Sequence, residues 1–236
     1  MQERLSKVKT KEELDQFKSD HSQTFKDRAK TSSDTDPNTC FIPKGESLEA
    51  QKVIMRDYLG TVGVLASENL TIPSMQIATM NNTNRDGLQF EAKKQIFELM
   101  KDNKTGGLYN NIIQSIMLRK EEQGGETASY KSGYFSSKHN NRTLLHEMGH
   151  SFNTDFTVTY KGNKMDLDSV LIKYKNDVEK GISKYALVDK GELIAESFAR
   201  YIGWKYGKGK LKDNEPSELN KAIIQGIYDA RKVSKT

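Results

Sequence analysis

The chain has 236 residues, a single cysteine and a formal net charge of +5, with 35% hydrophobic and 29% charged residues. That length supports a sizeable core in one large domain or two small lobes, and the composition is that of a globular protein with a well-solvated surface. Cys40 alone excludes an intramolecular disulfide and a CxxC-type zinc site; no window approaches the roughly 18 apolar residues of a membrane span.

The N-terminus, "MQERLSKVKTKEELDQF", lacks the apolar core of a signal peptide. The expected location is therefore cytoplasmic or virion-associated, or secreted if a leader has been removed. Acids and lysines are interleaved rather than gathered into a basic stripe, so nucleic acid is not an expected partner, and neither is a membrane.

In chain order, the charged first thirty residues are helix-prone, with Thr10 and Glu13 spaced as a capping box and Leu14 and Phe17 at helical spacing. Residues 31–45, "TSSDTDPNTCFIPKG", read as a loop or hinge. A second helix is expected from about Ser47 through "LEAQKVIMRDYLGTVGVL", a strand within 71–80 and a helix over 89–102. Two further strands are expected at 109–118 and 128–137, the second a possible edge for pairing with an extended peptide. Next come a helix entered through "KHNNR", whose asparagines are good N-caps, and helices over 165–180 and 189–207. The last helix opens near Pro216.

The chemistry concentrates at "TLLHEMGHSF", residues 143–152, where a chain with four histidines sets two of them four apart. On a helix His146 and His150 share one face and Glu147 sits beside them. This HExxH pattern suits zinc, with the glutamate handling the proton of an activated water; an ordinary amphipathic helix with two half-buried histidines is the alternative. Gly149 lowers helix propensity by about 1 kcal/mol relative to alanine, which makes sense if another backbone passes close by. A third ligand is sought in "GELIAESFARYI", where Glu192 and Glu196 lie four apart among apolar residues. An apolar setting is costly for a carboxylate unless it is paired or bound to metal. Asp189 and Glu192 also have capping-box spacing. His139 reads as a surface residue, and Tyr185 taken alone as a core tyrosine.

"HEMGH" together with "YALVDKGELIAESFARY" resembles the glutamate-ligand zincins of the anthrax lethal factor type, including the clostridial Pro-Pro endopeptidases, and is similar to zincin-like domains of bacteriophage minor head proteins. In those families a tyrosine precedes the ligand glutamate by seven residues and a second glutamate follows by four, as Tyr185, Glu192 and Glu196 do here. The families' "FFAE" stands here as "LIAE". The resemblance runs from about residue 105 to the end; the first hundred residues carry none. It implies an α+β zincin-like metallopeptidase fold over 47–236, with a small, mostly antiparallel sheet, an active-site helix and a helical C-terminal lobe. A helical segment and hinge, 1–46, would precede it. It further implies Zn2+ held by His146, His150 and Glu192, Glu147 as general base, Tyr185 as oxyanion stabiliser and Glu196 as support for a histidine. The implied activity is that of a zinc metalloendopeptidase acting on protein or peptide substrates. The alternative is a phage virion or head-morphogenesis protein that carries a zincin-like domain and contacts other assembly proteins.

Overall fold

A computed structural model describes residues 2–20, 48–68, 76–79, 107–111, 115–118, 132, 134, 136, 142–206 and 215–233. The hinge at 31–45 with Cys40, the helix read at 89–102, His139 and the asparagine caps lie outside the described residues. The described parts mix helices with small sheets in an α+β arrangement, and the chain divides into two compact units, Met1–Glu121 and Glu122–Thr236.

The first unit contains α1 (Gln2–Ser6), α2 (Lys11–Asp20) and α3 (Leu48–Ser67). The capping box at the start of α2 is formed on both sides. The Glu13 N–H donates to Thr10 Oγ1 at 3.1 Å, and Glu13 Oε2 accepts from the N–H groups of Lys9 at 2.6 Å and Thr10 at 3.3 Å. These bonds satisfy amides that a helix start otherwise leaves orphaned. Leu14 and Phe17 then turn inward with Leu5, Val8, Met55 and Leu59 to form one apolar cluster.

The same unit holds β1 (Gln76–Thr79), β2 (Gly107–Asn110) and β3 (Ser115–Leu118), ordered β1-β3-β2. β1 runs parallel to β3 and β2 antiparallel to it, with Gly107 opposite Leu118 and Asn110 opposite Ser115. The stretch 109–118, read as one strand from its apolar content, therefore folds back on itself.

In the second unit the histidine helix α4 (Arg142–His150) is buried from Arg142 to Gly149. A helix buried on nearly every side must find partners for each polar side chain it carries. Leu144, Leu145, Met148 and the following Phe152 pack with Leu193, Ile194, Phe198 and Ile202 of α7 (Lys190–Tyr206), all at most 1% exposed. Each such side chain contributes about 1.5–3 kcal/mol by leaving water. The end of α4 is closed by Arg231, which donates to the Ser151 carbonyl at 2.9 Å from α8 (Glu218–Val233). Pro216 lies just before α8 rather than in its first turn, and Ser217 Oγ caps the helix by accepting from Asn220 N–H at 3.2 Å.

The half expected to be all helical contains a hairpin, β4 (Thr157–Tyr160) and β5 (Asn163–Asp166). Lys161 and Gly162 both have positive φ, 48° and 75°, as a two-residue turn matched to strand twist requires. The helix expected over 165–180 is in consequence shorter and broken. Asp166 ends β5 and caps α5 (Leu167–Lys173) by accepting from Ser169 N–H at 2.7 Å, and Tyr174 at φ −120°, ψ 30° separates α5 from α6 (Lys175–Gly181). No described helix is long and apolar enough to cross a membrane.

Candidate metal centre

Two helices and two turns of the second unit build the site. α4 and α7 approach closely because of Gly149: a Cβ there would lie 2.7 Å from Ala195 Cα and 3.0 Å from Phe198 Cβ. Backbone cannot yield as a flexible side chain can. Gly149→Ala is therefore expected to destabilise the fold by about 1–3 kcal/mol through overpacking, outweighing alanine's helix-propensity gain of about 1 kcal/mol. Urea denaturation checks this, and an unchanged or raised midpoint would mean that the helices can part at little cost.

Across this seam the ligand-type atoms of His146, His150 and Glu192 all lie within 4.8 Å of one another. His146 Nε2 is 3.1 Å from Glu192 Oε2 and 3.2 Å from His150 Nε2, and His150 Nε2 is 3.8 Å from Glu192 Oε1. The sequence left two roles open for Glu192. Asp189 does cap α7, its Oδ1 accepting the Glu192 N–H at 2.9 Å, but the Glu192 side chain turns to the histidines.

The other side of His146 fixes its tautomer. Nδ1 lies 2.7 Å from Glu196 Oε1, so the ring proton is assigned to Nδ1 from its carboxylate partner. In the neutral ring Nε2 is then a lone pair, 3.1 Å from Glu192 Oε2. Nε2 of both imidazoles and a carboxylate oxygen thus converge on a single point, and the residues fit a divalent metal. Two imidazoles and a carboxylate suit zinc among several transition metals.

Glu196 is 0% exposed and carries four hydrogen bonds. Oε1 accepts from His146 Nδ1 and from Arg142 Nη2 at 3.0 Å; Oε2 accepts from Ser136 N–H at 2.6 Å and Ser183 Oγ at 2.8 Å. Burial alone would raise its pKa, but the His146 hydrogen bond and the Arg142 charge hold it near 2. Burial works against a charge on His146 as well, yet its bonds to Glu192 and Glu196 raise its pKa to about 9. Burial and the neighbouring His146 charge push His150 down to about 4.

Glu147 is buried beside the triad, and its charge reaches both His146 and Tyr185. Tyr185 opens a short 3-10 turn (Tyr185–Leu187) before α7. Its ring lies 5.7 Å from that of His146, and burial with the Glu192 carboxylate raises its pKa well above the ordinary value, so the phenol stays protonated.

Ser136, Arg142 and Ser183 carried no sequence motif that marks them. Arg142 had one signal, standing four residues before His146 on the face that His150 continues. The strand expected over 128–137 is not present at its described positions, Ser132, Tyr134 and Ser136, which lie in turns and bends. The physical reason is that the backbone there is bonded elsewhere: Ser136 N–H to Glu196, and the Tyr134 carbonyl to Tyr185 N–H at 3.0 Å.

Removing the carboxylate charge with Glu196→Gln is expected to weaken metal binding roughly 10–100-fold, the usual effect of losing a ligand's supporting partner. Chelator competition measures it, and undiminished affinity would show that His146 is oriented without Glu196. No protein-family model matches this chain, and no curated protein does.

Proposed function

We propose that this chain is a zinc-dependent metalloendopeptidase with a zincin-like fold in its second unit. The carrying observation is the convergence of His146 Nε2, His150 Nε2 and a Glu192 oxygen, with Glu147 and Tyr185 alongside. A structural zinc site closes its coordination with four protein ligands, whereas a catalytic one uses three and keeps a position open. Three gather here among the described residues, the number that a catalytic site uses.

His146, His150 and Glu192 would hold the ion, which supplies Lewis acidity toward water and a scissile carbonyl. Glu147 takes the proton of the attacking water and returns it to the leaving amine. Tyr185, kept protonated by its surroundings, donates a hydrogen bond to the oxyanion as it develops. Glu196, with Arg142 and Ser183 behind it, holds the His146 ring so that Nε2 faces Glu192 and His150, where it would serve as a ligand. Metal analysis combined with a peptide-library digest, on wild type and Glu147→Gln, tests the reading; a wild type that neither holds zinc nor cleaves any peptide overturns it.

Metal binding is expected to depend on pH with a definite sign. The ion needs the Nε2 lone pair of His146, which carries a proton below a pKa of about 9. Affinity should therefore be flat above that pH and fall about tenfold per unit below it, with about one proton released per ion at neutral pH. Calorimetry in buffers of different ionisation enthalpy counts that proton. Zero release at neutral pH would mean that His146 is already deprotonated in the free site.

A further inference from the structure

Ser183 is buried two residues before Tyr185, and its hydroxyl makes two bonds. It donates to Glu196 Oε2 at 2.8 Å and accepts the Ala186 N–H at 3.1 Å. A hydroxyl has one proton and two lone pairs, and an ionised carboxylate only accepts, so Glu196 fixes the direction of both bonds. The second bond has the form of an N-cap: a hydroxyl takes the amide three residues on, which the start of a turn otherwise leaves unpaired. One helical turn beyond Glu196, Arg200 Nη1 donates to the Ile182 carbonyl at 3.3 Å. Two successive residues, Ile182 and Ser183, are thus tied to α7 just ahead of Tyr185, whose ring lies 5.7 Å from that of His146.

We propose that Ser183 is a positioning residue for Tyr185, and that through it Glu196 places the Tyr185 phenol as well as the His146 ring. The proposal rests on the metallopeptidase reading and deepens it by naming what sets the oxyanion donor. The two oxygens of Glu196 divide the work. Oε1 takes His146 Nδ1 at 2.7 Å and Arg142 Nη2 at 3.0 Å, both from α4. Oε2 takes Ser183 Oγ and, at 2.6 Å, the Ser136 N–H. Those two residues belong to the stretches that hold the Tyr185 turn. Ser183 caps it, and the Tyr134 carbonyl, two residues before Ser136, accepts the Tyr185 N–H at 3.0 Å. One buried carboxylate therefore aligns a metal-type ligand with one oxygen and the phenol-bearing turn with the other. The alignment matters because a hydrogen-bond donor displaced by about 1 Å from the reacting group can cost about 100-fold in rate.

A double-mutant cycle on the full-length, zinc-loaded protein tests this, with Ser183→Ala, Tyr185→Phe and the pair assayed on one cleaved peptide. Ser183→Ala should lower kcat about tenfold with KM and zinc content unchanged, since three other donors still hold Glu196. In the Tyr185→Phe background it should cause no further loss, because residues that act as a unit are not additive. Hydrogen exchange reads the same contact without turnover: in Ser183→Ala the Ala186 amide should exchange about tenfold faster while the amides of α4 keep their wild-type rates. A loss of kcat that recurs in full on Tyr185→Phe, a loss of zinc or a change in KM in place of kcat, or an Ala186 amide that exchanges as in wild type each overturns the role. Ser183→Cys, which keeps the side chain's shape but donates and accepts weakly, carries the same cycle if the alanine variant does not fold. If wild type cleaves no peptide while Ala186 exchange still depends on Ser183, the metallopeptidase reading has failed, and the positioning role falls with it.

Discussion

Replacing His146 and His150 together with alanine is expected to abolish stoichiometric metal binding. The two Nε2 atoms lie 3.2 Å apart and are two of the three converging ligand-type atoms; without them Glu192 is a lone carboxylate. Glu192→Gln should be nearly as severe, because the amide removes the only negative charge among the three ligand groups. Both losses should exceed the roughly 10–100-fold expected when a supporting partner such as Glu196 is removed. Metal content after dialysis against a graded chelator series ranks the variants. A fully loaded double mutant would sink the site. A Glu192→Gln that stays loaded while Glu196→Gln is empty would exchange the roles of the two glutamates. The fold should survive the alanines, since Leu144, Leu145 and Met148 remain to anchor α4 in the core.

The second large effect is expected at Glu147. Glutamine is nearly isosteric with glutamate but cannot take a proton, so Glu147→Gln should retain metal and fold. Peptide hydrolysis should fall by about 10²–10⁴-fold, the usual range for a positioned general base. Tyr185→Phe removes only a hydrogen bond to the developing oxyanion and should lower kcat with little change in KM or metal affinity. Steady-state kinetics on one cleaved peptide separates the two. Equal rates for wild type and Glu147→Gln would rule the glutamate out as base, and a metal-free Tyr185→Phe would make the tyrosine a ligand instead.

Local features were legible in the sequence because they depend on residues close in the chain. Thr10 and Glu13 specify a cap within one turn, and both halves of it form. His146 and His150 share a helical face by spacing alone, and Gly149 marked a close backbone approach that proves to be Ala195. Where competing local patterns were close in strength, the structure decided. Lys161 and Gly162 adopt positive φ and turn a stretch next to an apparent long helix into a hairpin. The apolar run 109–118 folds back as two strands because the β2–β3 register pairs Asn110 with Ser115.

The division of labour between the glutamates was not decided by residue type or helical spacing, since Glu192 and Glu196 lie one turn apart on the same helix. Resemblance implied an order, but only the packing of α7 on α4 sets Glu192 against Nε2 of His146 and Glu196 against Nδ1. The physical reason is partner supply. Glu196, at 0% exposure, collects four donors from parts of the chain 13 to 60 residues away, whereas Glu192 turns its oxygens to the two histidine Nε2 atoms. A sequence read locally shows which side chains can bind a metal or accept a proton. Which buried carboxylate is held by protein donors, and which is set against the two histidine Nε2 atoms, depends on contacts between distant segments that only the tertiary structure brings together.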